Sequence, residues 1–290
     1  MRVLISGASG KLGRELVRQA PRGITVFSPN RQQLDLHNVA RAIQLFKWFS
    51  PSHIINAAAY TNVDKAQIEV EAAWTINHGA VKQLAEIANQ YSARFIHIST
   101  DFVFDGSSNE PYLPSAETNP ISEYGKSKEA GERATQTACA NSVVIRSASL
   151  YGDDDHNFVK LVLGRLANQD SLDVVSDQIS TPTHVRSLAQ CVWQFLPRNE
   201  TGMWHFTDAG SVNKSGFAQA IADDAFALRL LSTRKSINPI ESRFSCSLAR
   251  RPAYSVLNKD ATWAIMGRPP EWREQLGSYL QELKKQKDAK

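Results

Sequence analysis

Cysteine is scarce in this chain: Cys139, Cys191 and Cys246 are the only three, an odd number with no C-x-x-C spacing. That excludes a disulfide framework and a thiolate metal cluster. Their apolar or small-residue surroundings predict buried thiols in a reducing compartment, hence a cytoplasmic protein. Long hydrophobic runs are missing as well. The opening MRVLISGASG holds a short apolar run already broken by glycine, too short for a signal-peptide core. No later stretch approaches the length needed to span a membrane. There is no excess of one charge: 33 Lys and Arg face 29 Asp and Glu, a formal net charge of +4. So small and evenly spread a charge argues against nucleic acid and suits a dianionic small molecule equally well. The seven histidines show no H-x-x-x-H or His/Cys ligand spacing, so no catalytic metal is expected. DDDH at 153–156 lies between a strand end and a helix start and reads as a solvated acidic loop.

What is present is enough apolar sequence, 42% of 290 residues, for a substantial core without metal or disulfide. Short β-type runs alternate with helical patterns through the first half: RVLIS (2–6), ITVF (24–27), HIIN (53–56), RFIHIS (94–99) and SVVIR (142–146). Between them lie amphipathic stretches, KLGRELVRQ, NVARAIQLFKWF, the long EAAWTINHGAVKQLAEIANQ, and KSKEAGERATQTA. The alternation predicts βαβ crossovers, and so an α/β fold: a doubly wound parallel-sheet (Rossmann) domain over 1–150. After about residue 150 the rhythm loosens and prolines multiply. Residues 151–290 are expected to form mainly a smaller α/β substrate-binding lobe, with a strand or helix from about 175–200 returning to the main sheet. Trp193, Trp204, Trp263 and Trp272 sit on amphipathic segments and are expected in the core.

Strand RVLIS runs into GASGKLG, where Gly7, Gly10 and Gly13 are spaced G-x-x-G-x-x-G, and then into a helix. Missing side chains let the backbone turn tightly against a pyrophosphate, while the helix N-terminus supplies N–H donors. In the strand–loop–helix context this reads as a dinucleotide site. After the second strand an acidic residue is expected for a ribose 2′-hydroxyl, yet the sequence reads FSPNR, with Asn30 and Arg31, and Lys11 nearby in the glycine loop. A cation there accommodates a 2′-phosphate, which favours NADPH with NADH as the alternative. A merely solvated Arg31 remains open.

Tyr124 and Lys128, in YGKSK, are four apart and so face one way on one helix. An ammonium beside a phenol stabilises phenolate and brings it nearer to working pH as a proton donor or acceptor. The alternative is a half-buried Tyr124, with Lys128 in a surface pair with Glu132. Upstream, STDFVFDG places Ser99 and Thr100 at the carboxyl edge of a strand, where a hydroxyl reaches a substrate carbonyl.

GASGKLG, NAAAYTNVDKAQ (56–67), STDFVFDG (99–106), YGKSK and DQISTPT (177–183) together resemble the extended short-chain dehydrogenases/reductases, and within them the dTDP-4-dehydrorhamnose reductase family. The resemblance covers nearly the whole chain. It implies a catalytic hydroxyl, tyrosine and lysine at Thr100, Tyr124 and Lys128. It implies cofactor contacts at Gly7, Ser9, Gly10, Lys11, Leu12, Asn30, Arg31, Asp35 and Leu36. Ala57, Ala58 and Ala59 would form the wall beside the cofactor, with Ser99 nearby. Val63, Asp64 and Lys65 would lie near the sugar, or simply cap a helix, with Phe102 also on the substrate side. Arg250 and Arg251, before Pro252, match an arginine–proline element suited to a diphosphate, or form an ordinary surface loop. The implied activity is NADPH-dependent reduction of the 4-keto group of a nucleotide sugar, with a homodimer compatible and no membrane partner. Three positions depart from the family: Phe102 stands for tyrosine, Gln67 for glutamate, and Ser149, in RSASLYG, for a tryptophan. Two alternatives stay open: another nucleotide-sugar reductase or epimerase, and an NADP-binding regulatory subunit resembling the β subunit of methionine adenosyltransferase.

Overall fold

Val3, Leu4 and Ile5 of strand β1 (Arg2–Ser6) are all fully buried, as expected of a strand whose sheet is covered on both faces. In the computed structural model, which describes residues 1–30, 32–34, 39–153 and 157–289, five further strands join it. They are β2 (Thr25–Phe27), β3 (His53–Asn56), β4 (Arg94–Thr100), β5 (Ser142–Ser147) and β6 (Gly202–His205). All pair in parallel, in the order β6-β5-β4-β3-β1-β2. The fold is therefore a doubly wound Rossmann-like sheet.

Alternating side chains give the sheet two apolar faces. Ile5, Ile55, Ile96 and Ile145 meet Leu12 and Leu16 of α1 (Lys11–Arg18) and a helix from the second half. On the other face Leu4, Ile54 and Phe95 meet Phe46 of α2 (Val39–Phe49) and Leu84 of α3 (Ala80–Gln90). The helical stretch before α3 is interrupted by a π turn at Thr75–Gly79. The wider turn carries the fully buried Asn77, whose amide bonds the Tyr60 N–H at 2.8 Å, the Tyr60 carbonyl at 3.1 Å and the Ser127 hydroxyl at 3.0 Å.

Helix α4 (Glu123–Ala138) starts where the Ser122 hydroxyl accepts from Gly125 N–H at 3.1 Å, a side-chain N-cap. Small residues on this helix let it lie unusually close to its neighbours: a Cβ at Gly125 would collide with the Phe102 carbonyl, and one at Gly131 with the Asn77 carbonyl. One turn beyond Lys128, Glu132 takes two hydrogen bonds from Arg146 of β5, at 2.9 and 2.7 Å, both residues being buried. A surface Lys128–Glu132 pair is thereby replaced by an interior Glu132–Arg146 one.

A separate apolar cluster packs α5 (Phe158–Leu166), α7 (Lys214–Ala227) and α8 (Trp272–Asp288) around Tyr151, Val162, Phe217, Ile221 and Tyr279. Between them in sequence, α6 (Val185–Phe195) returns to cover the main sheet, and the returning strand is β6 at 202–205. Cys139 and Cys191 are buried, but Cys246 is exposed, contrary to expectation. It lies in a segment that turns even Phe244 and Leu248 outward. Trp193 is core and donates to the Leu16 carbonyl, whereas Trp204, Trp263 and Trp272 are only half-buried. Among the described residues no helix is long and apolar enough to cross a membrane.

Removing one partner of the Glu132–Arg146 pair strands a buried charge. Glu132→Ala is expected to cost about 3–5 kcal/mol in urea unfolding, and Glu132→Leu combined with Arg146→Met to recover most of it. Equal losses in both proteins would show that the pair is not what holds α4 to β5.

Candidate functional site

The β1–α1 turn fits a pyrophosphate. Gly7 has φ +75°, and a side chain there would collide with the backbone of Ala58 just beyond β3. Gly10 caps α1 without a side chain, leaving the first-turn amides for an anion. The Ala58 N–H is in turn bonded to Asn56 Oδ1 at 3.1 Å, so the glycine loop and the alanine run are packed as one wall. Ala57, Ala58 and Ala59 are half-buried, and Ser9 and Gly10 are exposed at the loop. Lys11 extends to the Leu150 carbonyl at 3.0 Å, joining the loop to the segment after β5. Asn30 uses its side-chain oxygen within its own turn, accepting from Gln32 N–H and Gln33 N–H. Arg31, Asp35 and Leu36 lie outside the described residues, as do residues 154–156 of the acidic run.

At the carboxyl end of β4, Thr100, Tyr124 and Lys128 come together. The Thr100 hydroxyl is within hydrogen-bonding reach of the Tyr124 phenol, and Phe102 packs edge-on against the Tyr124 ring with centroids 5.9 Å apart. Lys128 is 2% exposed and donates to the Ile98 carbonyl at 2.7 Å, with its ammonium 3.4 Å from His97 Nε2. Ser99 is buried, and among the described residues its hydroxyl has no hydrogen-bond partner.

Burial pushes the Tyr124 phenol up to about 12, against the Thr100 hydrogen bond and with the Asp101 carboxylate adding to the rise. Burial likewise pulls Lys128 down to about 8, Glu132 opposing. The expectation that Lys128 acidifies Tyr124 is corrected here. Its ammonium is directed to the β4 backbone, and desolvation outweighs any help it gives the phenolate.

Three side chains that sequence reasoning missed complete the cluster. Asp101, 2% exposed, accepts from Ser255 at 2.5 Å and from Thr100 at 3.1 Å. Burial lifts its carboxyl to about 6. Lys214, at the start of α7, donates to Gln178 at 3.0 Å and is pulled down to about 8 by burial, with Arg251 adding and Asp64 and Asp101 opposing. The sequence offered one signal, the aspartate inside STDFVFDG; Ser255 and Lys214 are distant in sequence and carry none. Asp64 is drawn to Arg251, at 2.7 and 3.2 Å, and also accepts from Ala249 N–H. Val63 is half-buried on the same short helix, Lys65 is exposed, and Asn62 provides the cap by accepting from Lys65 N–H. Arg250 is exposed, so the two adjacent arginines do not act as one fork. Ser149, at φ +46°, bonds Ser180 at 2.7 Å, while Gln67 Oε1 accepts from Glu123 N–H at 2.6 Å at the start of α4. Among the described residues no group of three or more His, Cys, Asp or Glu could hold a metal ion.

Comparison with known proteins gives matches over nearly the whole length. A family model described as the RmlD substrate binding domain matches residues 1–285. A dTDP-4-dehydrorhamnose reductase of Aggregatibacter actinomycetemcomitans is 36% identical over 284 residues, 95% of this chain and 97% of that protein. Among solved structures, a dTDP-4-dehydrorhamnose reductase of Clostridium acetobutylicum superimposes with a TM-score of 0.91 at 35% identity, covering 98% of this chain and 99% of that one. Another, from Bacillus anthracis in complex with NADP, gives 0.90 at 30% identity over 97% and 99%.

A buried carboxyl with a raised pKa stabilises the fold while protonated and loses that contribution as pH rises through about 6. Asp101→Asn carries no such change. Between pH 4 and 7 the variant is expected to gain about 3 kcal/mol of unfolding free energy relative to the parent. A constant difference across that range would place the carboxyl in contact with solvent.

Proposed function

The chain belongs to the RmlD substrate-binding family, and from that premise we propose that it uses NADPH to reduce the 4-keto group of a dTDP-linked 4-keto-6-deoxy sugar. One observation carries the reading. A phenol close to a threonine hydroxyl stands at the carboxyl edge of β4, on a helix anchored to that strand by a buried lysine. The substrate class is supported by relatives named dTDP-4-dehydrorhamnose reductase and dTDP-4-keto-6-deoxy-D-glucose reductase. The cofactor is supported by the relative solved with NADP.

When bound, NADPH supplies the hydride. Gly7, Ser9, Gly10 and the first amides of α1 would hold its pyrophosphate, with Leu12 and the wall of Ala57, Ala58 and Ala59 beside it. Lys128 would hold the nicotinamide ribose. The remaining work belongs to the side chains at the end of β4. Tyr124 keeps its proton at neutral pH because burial raises its pKa, so it is charged with the proton that a developing alkoxide needs. An alkoxide is the stronger base, and the transfer runs downhill even from a phenol near 12. Thr100, whose one hydroxyl proton otherwise goes to Asp101, would turn it to the same oxygen. Lys214, and Arg251 once released from Asp64, would offer cations for a diphosphate, with Val63, Asp64, Lys65 and Phe102 on the sugar side. Binding those remote groups orients the keto carbon.

Consumption of NADPH across dTDP-, GDP- and CDP-linked 4-keto sugars tests the reading; turnover is expected with the dTDP compound. No oxidation with any of them would favour the regulatory-subunit alternative. Tyr124→Phe should lower kcat by about 10²- to 10⁴-fold while the NADPH Kd stays nearly constant. Gly7→Ala should do the reverse, weakening NADPH at least about tenfold, roughly 1.4 kcal/mol, in a fluorescence titration. Full activity in Tyr124→Phe would contradict the proton-donor role.

A further inference from the structure

Behind Lys128 lies a buried polar chain that the reaction as described does not use. Ser6 Oγ donates to Asn56 Oδ1 at 2.6 Å, Asn56 Nδ2 lies 3.1 Å from His97 Nδ1, and His97 Nε2 lies 3.4 Å from Lys128 Nζ. All four residues are buried, His97 and Lys128 at 0% and 2% exposure. No solvent is available to choose their protonation states, so the hydrogen-bond directions must do so.

The directions follow from one fixed donor. The Ala58 backbone N–H can only donate, so the Asn56 atom it meets at 3.1 Å is the carbonyl oxygen. The Asn56 amide nitrogen therefore faces His97 and donates to Nδ1. An imidazole whose Nδ1 accepts carries its single proton on Nε2, the nitrogen turned towards Lys128. Full protonation of His97 would set Nδ1–H against the Asn56 amide protons and place a second cation beside the ammonium. Burial and the Lys128 charge both push the imidazole well below its ordinary range.

We propose that His97 is a positioning residue for Lys128: locked by Asn56 as the neutral Nε2–H tautomer, it turns a donor towards the lysine nitrogen and favours the neutral amine over the ammonium. The Ile98 carbonyl accepts from either form, and so fixes the place of Nζ without choosing its charge. Two other influences face Lys128. Glu132, one turn along α4, favours the ammonium but is occupied by Arg146 of β5. Tyr124, one turn before, stays neutral. Gly131 allows the arrangement, since a Cβ there would sit 3.6 Å from His97 Nε2 and collide with the Asn77 carbonyl. The consequence is a lysine that gives up its proton at a lower pH than a solvated one. The glycine-loop wall is thereby linked to the catalytic helix: Ala58 orients Asn56, Asn56 sets the tautomer, and the tautomer biases the lysine.

The role in catalysis rests on the function proposed above, but the test needs no substrate, so failure of one does not entail failure of the other. In the intact protein, histidine ¹⁵N shifts should identify His97 as the Nε2–H tautomer, with no titration between about pH 5 and 9. An Nδ1–H tautomer or an imidazolium in that range would overturn the proposal. His97→Asn keeps an oxygen where Nδ1 accepts from Asn56 and deletes the group facing Lys128. In protein labelled at lysine ¹³Cε, with Lys128→Met assigning the resonance, the variant should move the Lys128 titration upward by about one pH unit. A packing role alone would lower stability or kcat and leave that titration in place, and an unmoved midpoint in the folded variant would sink the proposal.

Discussion

The hydrogen bond from Lys128 Nζ to the Ile98 carbonyl is the contact on which the site depends. It ties α4 to β4 at the point where the strand ends, and it is made without water. Tyr124 is placed by that tie, because it lies one turn earlier on the same helix. Thr100 is placed by the strand itself, two residues beyond the carbonyl that accepts. A phenol and a hydroxyl from separate elements therefore meet because a third group fixes the distance between the elements. The cost is a desolvated lysine nitrogen, offset in part by the carbonyl that it meets.

Much of this was legible in the sequence. The alternation of β-type runs with amphipathic stretches located β1 to β5 to within a residue, because strands covered on both faces must be almost wholly apolar. The glycine spacing and YGKSK located the loop and the helix. The small neighbours of Tyr124 and Lys128 also have their reason: Gly125 lies against the Phe102 carbonyl, and Ser127 donates to the Tyr124 carbonyl while accepting from Asn77. Bulkier residues would lift α4 away from β4 and separate the phenol from Thr100.

Other features were not legible, for physical reasons. Hydrophobic periodicity does not report a π turn, so the wider turn that carries Asn77 was invisible within a continuous helical pattern. The balance between burial and charge at Tyr124 depends on depth, which no spacing encodes, and the expected acidification turned into a rise. Arg250 and Arg251 are adjacent in sequence yet one is exposed and the other paired with Asp64, because neighbouring side chains in an extended loop point apart. That pair and the Ser255–Asp101 bond are contacts between residues more than 150 positions apart. Together they moor the segment 249–255 of the second half to the carboxyl end of the sheet, so the geometry at Thr100 depends on both halves of the chain.

The central claim is that hydride arrives at one carbon while Tyr124 protonates the oxygen on it. Reduction of a dTDP-linked 4-keto-6-deoxy sugar with NADPH deuterated at nicotinamide C4 tests it most directly, with the product read by NMR. The account predicts deuterium at sugar C4 alone, delivered from one face of the nicotinamide. Product formed without deuterium at C4 from both the pro-R- and the pro-S-labelled cofactor, or label found at another carbon, would contradict it.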